Sequence, residues 1–208
     1  MIKEVYLIMH SKPLKVNNDK NMDSLQIQNE KQPLSIEGEN IAREKLNIEE
    51  LKDIDKLYSS SYVRAISTAK YIAENNNIEI NVINDFGERK FGINSWDELP
   101  DNFGEKQFLD ENYKTEFGES QKEVRERTFN SLMNVLKNDE EKIAIVFHGT
   151  AMLFLLMTWC KVVPDSDKYK IFFNGNELLW GKHFDFCETF KLTFNDNKLI
   201  DIKNIKHD

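Results

Sequence analysis

Residues 5–11 read Val5-Tyr6-Leu7-Ile8-Met9-His10-Ser11, an apolar run of strand length that stops abruptly at a histidine. Ser11-Lys12-Pro13 behind it is turn-prone, because proline cannot continue a central strand. The pattern has one echo. Lys142-Ile143-Ala144-Ile145-Val146-Phe147 is a continuous apolar run of the kind parallel sheets bury on both faces. It too stops at a histidine, His148, with Gly149-Thr150 next. Open α/β sheets place their ligands at the C-terminal tips of strands, and in a doubly wound sheet those tips share one edge.

Outward from these strands the chain alternates. Ser35 suits a helix N-cap, and Ile41, Ala42 and Leu46 after it form a helical stripe. Asp55 to Ser59 reads as a short strand. Ser60-Ser61 then caps a helix expected to bury Val63, Ile66, Ala69, Ile72 and Ala73. Asn75-Asn76-Asn77 ends it, and residues 78–83 largely alternate like a strand. Ser120-Gln121-Lys122-Glu123 has capping-box spacing and opens a helix with Val124, Thr128, Leu132, Val135 and Leu136 inward. Another helix is expected from Ala151 to about Cys160. Phe184 to Phe194 and Lys198 to Ile205 are strand-like, and Asn195-Asp196-Asn197 joins them as a hairpin turn.

Three stretches lack this regularity. Residues 14–32 are polar, rich in Asn and Lys, and expected to form a mobile loop. Residues 164–182 carry no readable period. Residues 84–118 are broken by glycines yet studded with Phe86, Phe91, Trp96, Phe103, Phe108, Tyr113 and Phe117, which favours an ordered lid over a linker. The sum predicts one α/β domain over residues 1–208. It is a three-layer, doubly wound, mostly parallel sheet with a lid inserted at about 84–118 and a C-terminal edge hairpin.

Composition narrows the function. Net charge is −8, from 28 basic and 36 acidic residues, which argues against a sequence-independent nucleic-acid binder. A small anionic substrate needs only a local cluster of cations. Cys160 and Cys187 stand apart without a partner motif, so neither a disulfide framework nor a cysteine zinc cluster is expected, and a reducing cytoplasm is inferred. Residues 143–163 are the longest apolar stretch, but they contain His148, Gly149, Thr150 and Lys161. A buried strand turning into a buried helix explains them better than a membrane span. The opening residues lack the basic segment of a signal peptide.

Four polar positions carry the chemistry: His10, Arg64, Glu88 and His148. Arg64 lies in the first turn or so of the helix after Ser59-Ser60, whose N–H groups can receive an anion. Glu88 opens the lid. An imidazole that attacks phosphorus, cations that hold its oxygens and a carboxylic acid that protonates the leaving alkoxide together suit phosphoryl transfer. No carboxylate cluster has metal-ligand spacing, and neither metal nor cofactor is expected.

The order of these motifs resembles the histidine phosphatase superfamily, the phosphoglycerate mutase-like proteins. Its opening Arg-His-Gly is matched at the histidine by Met9-His10-Ser11. Leu34-Ser35-Ile36-Glu37-Gly38 follows its Leu-Thr-x-x-Gly helix start. Its Ser-Ser-x-x-x-Arg-Ala-x-x-Thr-Ala is matched in full from Ser59 to Ala69. Glu88-Arg89-Lys90-Phe91-Gly92 corresponds to its Glu-x-x-Phe-Gly, Gly118-Glu119-Ser120 to the start of its next helix, and Phe147-His148-Gly149 to its second histidine. The resemblance implies a metal-independent phosphohistidine mechanism on a small phosphorylated substrate. His10 would be the nucleophile, Arg64 and His148 would bind the phosphoryl group, and Glu88 would donate the proton. Asp85, Asp97 and Glu98 are neighbouring carboxylates that compete for the last role.

The departure is the first motif. Met9 stands where the family has arginine, and a thioether cannot replace a bidentate guanidinium. Losing one such preorganised donor typically costs about 10²–10³ in rate. Lys12, Arg89 and Lys90 are candidate substitutes, and the hydroxyl of Ser11, where the family has glycine, is a candidate phosphate ligand. The leading reading is a phosphomonoester hydrolase of reduced activity. The alternative is a catalytically impaired relative that binds a phosphorylated ligand or partner. A phosphoglycerate mutase-type phosphotransferase comes third, because the lid is short. Substrate identity and oligomeric state are not legible in the sequence.

Overall fold

The structure, a computed structural model, describes residues 1–16, 24–165 and 168–206. In chain order it comprises β1 (Ile2–Met9), α1 (Leu25–Lys31), α2 (Ile36–Lys45), β2 (Lys56–Ser59), α3 (Val63–Asn76), β3 (Ile80–Val82), α4 (Phe103–Leu109) and α5 (Gln121–Val135). These are followed by β4 (Lys142–Phe147), α6 (Gly149–Leu156), β5 (Lys161–Asp165), β6 (Lys168–Phe173), β7 (Asn176–Lys182), β8 (Thr189–Asn195) and β9 (Lys198–Ile205).

The main sheet has the order β3-β2-β4-β1-β8-β9. Its first four strands are parallel, and the β8–β9 hairpin adds antiparallel at the β1 side. Side chains alternate across the two inner strands. Val5, Leu7, Ile143, Ile145 and Phe147 pack with Val124 and Leu132 of α5 and Met152 and Leu155 of α6. Tyr6, Ile8, Ala144 and Val146 pack on the other face with Ala42 of α2 and Ala65, Ala69 and Ile72 of α3. Burying each larger side chain stabilises the fold by about 1.5–3 kcal/mol. A slip of one residue would exchange the two faces, so the register is strongly specified. This is the doubly wound α/β architecture, with the expected edge hairpin.

Several local expectations are corrected. Residues 14–32 are not all loop: α1 forms within them, with Ser24 as N-cap accepting from the Ile27 N–H, while residues 17–23 lie outside the described residues. Helix α3 starts one residue later than a Ser61 cap implies, with Tyr62 as N-cap, and its stripe turns accordingly. Val63 is 38% exposed, whereas Arg64, Ala65 and Thr68 are buried. Helix α6 begins at Gly149 and ends at Leu156, short of Cys160. The described part of the unread stretch, residues 164–165 and 168–182, belongs to a separate antiparallel sheet, β5-β6-β7. Register irregularities around Tyr169 and Ile171 interrupt its alternation, which explains why no period is visible there.

The inserted segment 84–118 is ordered around its rings and its neck. Gly92 has φ +64°, and a Cβ there would lie 2.1 Å from the Gly118 nitrogen, so residues 92 and 118 meet backbone to backbone. Phe91 meets Trp96 edge-on at 5.0 Å, Phe103 packs on Tyr113 at 5.6 Å, and Phe108 stacks on Tyr169 of β6 at 6.2 Å. Among the described residues no helix is long and apolar enough to cross a membrane.

Candidate active site

Register brings the two histidines together. Met9 pairs with Phe147 across β1 and β4, and the His10 N–H donates to the Phe147 carbonyl at 3.0 Å. The imidazoles follow at the strand tips, 5.1 Å apart and edge-to-face. On the other side of β4, the Ser60 N–H donates to the Val146 carbonyl at 3.0 Å, so the turn into α3 sits at the same edge.

Arg64 joins these pieces from the buried face of α3. Its Nε donates to His10 Nε2 at 3.0 Å, and its Nη2 meets His148 Nδ1 at 3.1 Å. Its Nη1 donates to the backbone carbonyl of Asn29 in α1 at 2.5 Å. Arginine only donates, which fixes both tautomers. His10 Nδ1–H donates to the Ser11 carbonyl at 2.7 Å, leaving a lone pair on Nε2. His148 Nε2–H donates to Ser60 Oγ at 2.8 Å. Tyr62 covers the group: its ring lies 4.5 Å from that of His148 and 4.9 Å beneath the guanidinium.

Burial sets the charge state. Burial, then the Arg64 guanidinium, push the His10 imidazole down to about 3, partly opposed by its bond to Ser11. His148 is held well below its ordinary value by burial first, then by Arg64, His10 and Arg127. Burial lowers Arg64 as well. Both imidazoles are therefore neutral at pH 7, with Nε2 of His10 nucleophilic in form.

The turn after His10 is held from two sides. The Ser11 N–H donates to Thr68 Oγ1 at 2.9 Å, and Ser11 Oγ donates to the Gly38 carbonyl at 2.7 Å. Ser11, expected to contact phosphate, has both donors committed to the scaffold. Gly38 is needed for that approach: a Cβ there would lie 2.1 Å from the Lys12 carbonyl oxygen. Thr68 Oγ1 donates in turn to the Arg64 carbonyl at 2.8 Å. The Arg-Ala-x-x-Thr spacing thus gives one helix face both a cation and the anchor of the His10 turn.

Glu88 reaches the N-terminus of α6, which directly follows His148. Its carboxylate accepts from Thr150 N–H at 3.2 Å, Ala151 N–H at 3.1 Å and Arg89 N–H at 2.8 Å. The competing carboxylates have other partners. Asp85 accepts from Ser131 Oγ at 3.0 Å, Asp97 from Ser95 Oγ at 3.5 Å, and Glu98 from the Asn94 N–H at 3.1 Å. Met9 lies against the same helix start: its Sδ is 3.6 Å from where a Gly149 Cβ would be, beside Phe184.

None of the three substitute cations contacts the histidines. Lys12 pairs with Glu37 at 2.5 Å, Arg89 lies over Phe91 and Phe103 and donates to Gln107, and Lys90 is exposed on the insert. Sequence reasoning missed Arg127, which pairs with Glu119 at 2.7 Å and donates to the carbonyls of Asp85, Gly87 and Glu88. It braces the segment that carries Glu88, and no motif marked it. Tyr62 and Asn29 were missed too, since one occupies a free motif position and the other contributes only a backbone oxygen that accepts from Arg64. Among the described residues no group of three His, Cys, Asp or Glu side chains is placed to hold a metal ion.

The family model of the histidine phosphatase superfamily (branch 1) matches residues 6–175. The chain belongs to that superfamily. No curated protein matches it by sequence. Among solved structures it is similar to a mycobacterial glucosyl-3-phosphoglycerate phosphatase, with 15% identity, TM-score 0.68, and 98% of this chain and 97% of that one covered. Bacillus stearothermophilus YhfR matches with 18% identity, TM-score 0.67 and 95% and 94% coverage. A phosphoglycerate mutase from Bacillus anthracis matches with 16% identity, TM-score 0.62 and 98% and 92% coverage. At these identities the likeness is one of fold.

Proposed function

We propose that the protein is a phosphomonoester hydrolase working through phosphorylated His10. The observation that carries this reading is the His10–Arg64–His148 cluster, in which a neutral imidazole with a fixed tautomer faces a guanidinium at 3.0 Å. In the first half-reaction the Nε2 lone pair of His10 forms a bond to phosphorus as the ester P–O bond breaks. Arg64 and His148 hold the phosphoryl oxygens, and the leaving alkoxide takes a proton from the carboxyl of Glu88. In the second, water attacks phosphorus, the Glu88 carboxylate takes its proton, and the N–P bond breaks. Three N–H groups occupy three of about four lone-pair positions on Glu88, which leaves one site for that proton. Glu88 is preferred over its neighbours because it alone borders His148 through α6.

Ser11 supports the His10 turn in this scheme and does not bind phosphate. Met9 makes the enzyme slow, because among the described residues no guanidinium but that of Arg64 hydrogen-bonds the two histidines. The second reading, a phosphate-binding relative without turnover, is favoured by that same residue. The two buried cysteines are unbridged, which suits a reducing cytoplasm. The test is hydrolysis of a panel of sugar, nucleotide and aryl phosphates by the wild type and by His10→Ala. Weak turnover lost in the variant supports the enzyme; no turnover with retained vanadate binding supports the binder.

A further inference from the structure

In the described arrangement the site is closed to its own substrate. His10 is 6% exposed, Arg64 4% and His148 0%, so a phosphate ester has no approach to Nε2. The cover is α1. Its Asn29 carbonyl accepts from Arg64 Nη1, and Gln26 Nε2 donates to Tyr62 OH at 2.8 Å and to Glu30 Oε1 at 2.7 Å. A carbonyl oxygen thereby sits on the guanidinium where a phosphoryl oxygen would bind. We propose that residues 24–31 are a self-blocking strap, released when an oxyanion replaces the Asn29 carbonyl on Arg64. The proposal rests on the phosphoryl-site reading above.

The strap is built to leave. Helix α1 has seven residues, too short to be stable alone, and Leu25 is its one buried side chain. Its N-cap bond is long, at 3.4 Å, and Ile27 is 38% exposed. The neck, in contrast, is pinned. Leu14 N–H donates to the Pro33 carbonyl at 2.8 Å, Gln32 Nε2 to the Leu14 carbonyl at 2.9 Å, and Pro13 bridges Leu34. Release of the strap would leave the His10 turn in place, because Ser11 is held by Thr68 and Gly38 and not by α1. An oxyanion adds ion pairing and bidentate geometry with the Arg64 guanidinium that a neutral carbonyl lacks, which sets the direction of exchange. Glu30 of the strap also walls a cavity of about 300 Å³ that Tyr62 and Glu88 line, so opening joins that space to the His10 site.

The affinity an anion shows is reduced by the fraction of protein that is open. Loosening the strap with Leu25→Ala/Gln26→Ala should therefore tighten binding of orthovanadate, measured by calorimetry, by roughly tenfold if about a tenth of the wild type is open. In the wild type, vanadate should raise amide hydrogen exchange across residues 25–31. Equal or weaker binding in the double variant, with exchange of 25–31 unchanged by vanadate, overturns the strap while leaving the phosphoryl site standing. Absence of vanadate binding in both proteins overturns the site itself and the strap with it.

Discussion

Arg64 donates to the nitrogen of His10 that would attack phosphorus, at 3.0 Å, so the proposed nucleophile and the proposed phosphate clamp are paired with each other. Turnover through phosphorylated His10, as proposed, requires that pairing to open. A buried cation whose hydrogen-bond partners are two imidazoles and a carbonyl is a costly arrangement for stability, and such strain is characteristic of functional sites.

Arg64→Met should separate function from stability. The guanidinium is 4% exposed and desolvated, so an apolar side chain of similar length relieves its desolvation. Thermal melting is expected to change little, because that relief is offset by three buried acceptors left without a donor, while kcat/KM falls about 10²-fold or more. Arg64→Lys should not restore the rate, since an ammonium lacks the planar fork that meets three acceptors. A lower melting temperature with the rate intact would contradict this.

Stability should fall with pH below about 6.5. An unfolded imidazole takes its proton near 6.5, whereas folded His10 resists protonation to about 3 and His148 also lies far below. In that window the unfolded chain binds more protons, so acid favours unfolding, by up to ~1.4 kcal/mol per pH unit for each histidine. Urea denaturation at pH 7.5 and 5.5, above most carboxylate titration, checks it. His10→Asn should flatten the difference. Equal stabilities for the wild type at both pH values would show that the histidines are not held neutral.

Two glycines offer a matched pair. A Cβ on Gly38 would lie 2.1 Å from a backbone oxygen of Lys12, while one on Gly104, in α4, meets nothing within 4 Å. Gly38→Ala should destabilise by about 1–3 kcal/mol and lower activity, because Lys12 adjoins the Ser11 carbonyl that fixes the His10 tautomer. Gly104→Ala should stabilise by about 0.5–1 kcal/mol through helix propensity and leave activity alone. Similar effects at the two positions would show that the close approach at Gly38 is not structural.

Met9→Arg tests the missing clamp. Met9 is half-buried against Gly149, at the helix end that also receives the Glu88 carboxylate. A guanidinium entering there meets that carboxylate and the proposed phosphoryl site. Turnover of an aryl phosphate should rise about 10²-fold. No rise in a well-folded variant would mean that Met9 is not what limits the rate.

Much of this was legible in the chain, for identifiable reasons. The two apolar strands ending in histidine showed the sheet edge, because burial on both faces leaves a continuous run that no surface element imitates. Ser35 and Ser120 read correctly as caps, since their hydroxyls meet N–H groups three residues on. The α3 stripe was misjudged because Arg64 and Thr68 are polar residues on a buried face, which hydrophobic periodicity cannot reveal. Helix α1 was hidden by its Asn- and Gln-rich composition, and its role rests on a backbone carbonyl that carries no side-chain signal. Proximity of His10 to His148 follows from register between β1 and β4, which no spacing in the sequence encodes.

The central claim is that His10 carries the phosphoryl group. Brief mixing with an aryl phosphate, alkaline quenching and peptide mass spectrometry address it directly. The account predicts one added phosphoryl group on the peptide containing His10, absent in His10→Ala and accumulating in Glu88→Gln. Phosphorylation of another residue, or undiminished hydrolysis by His10→Ala, would contradict it.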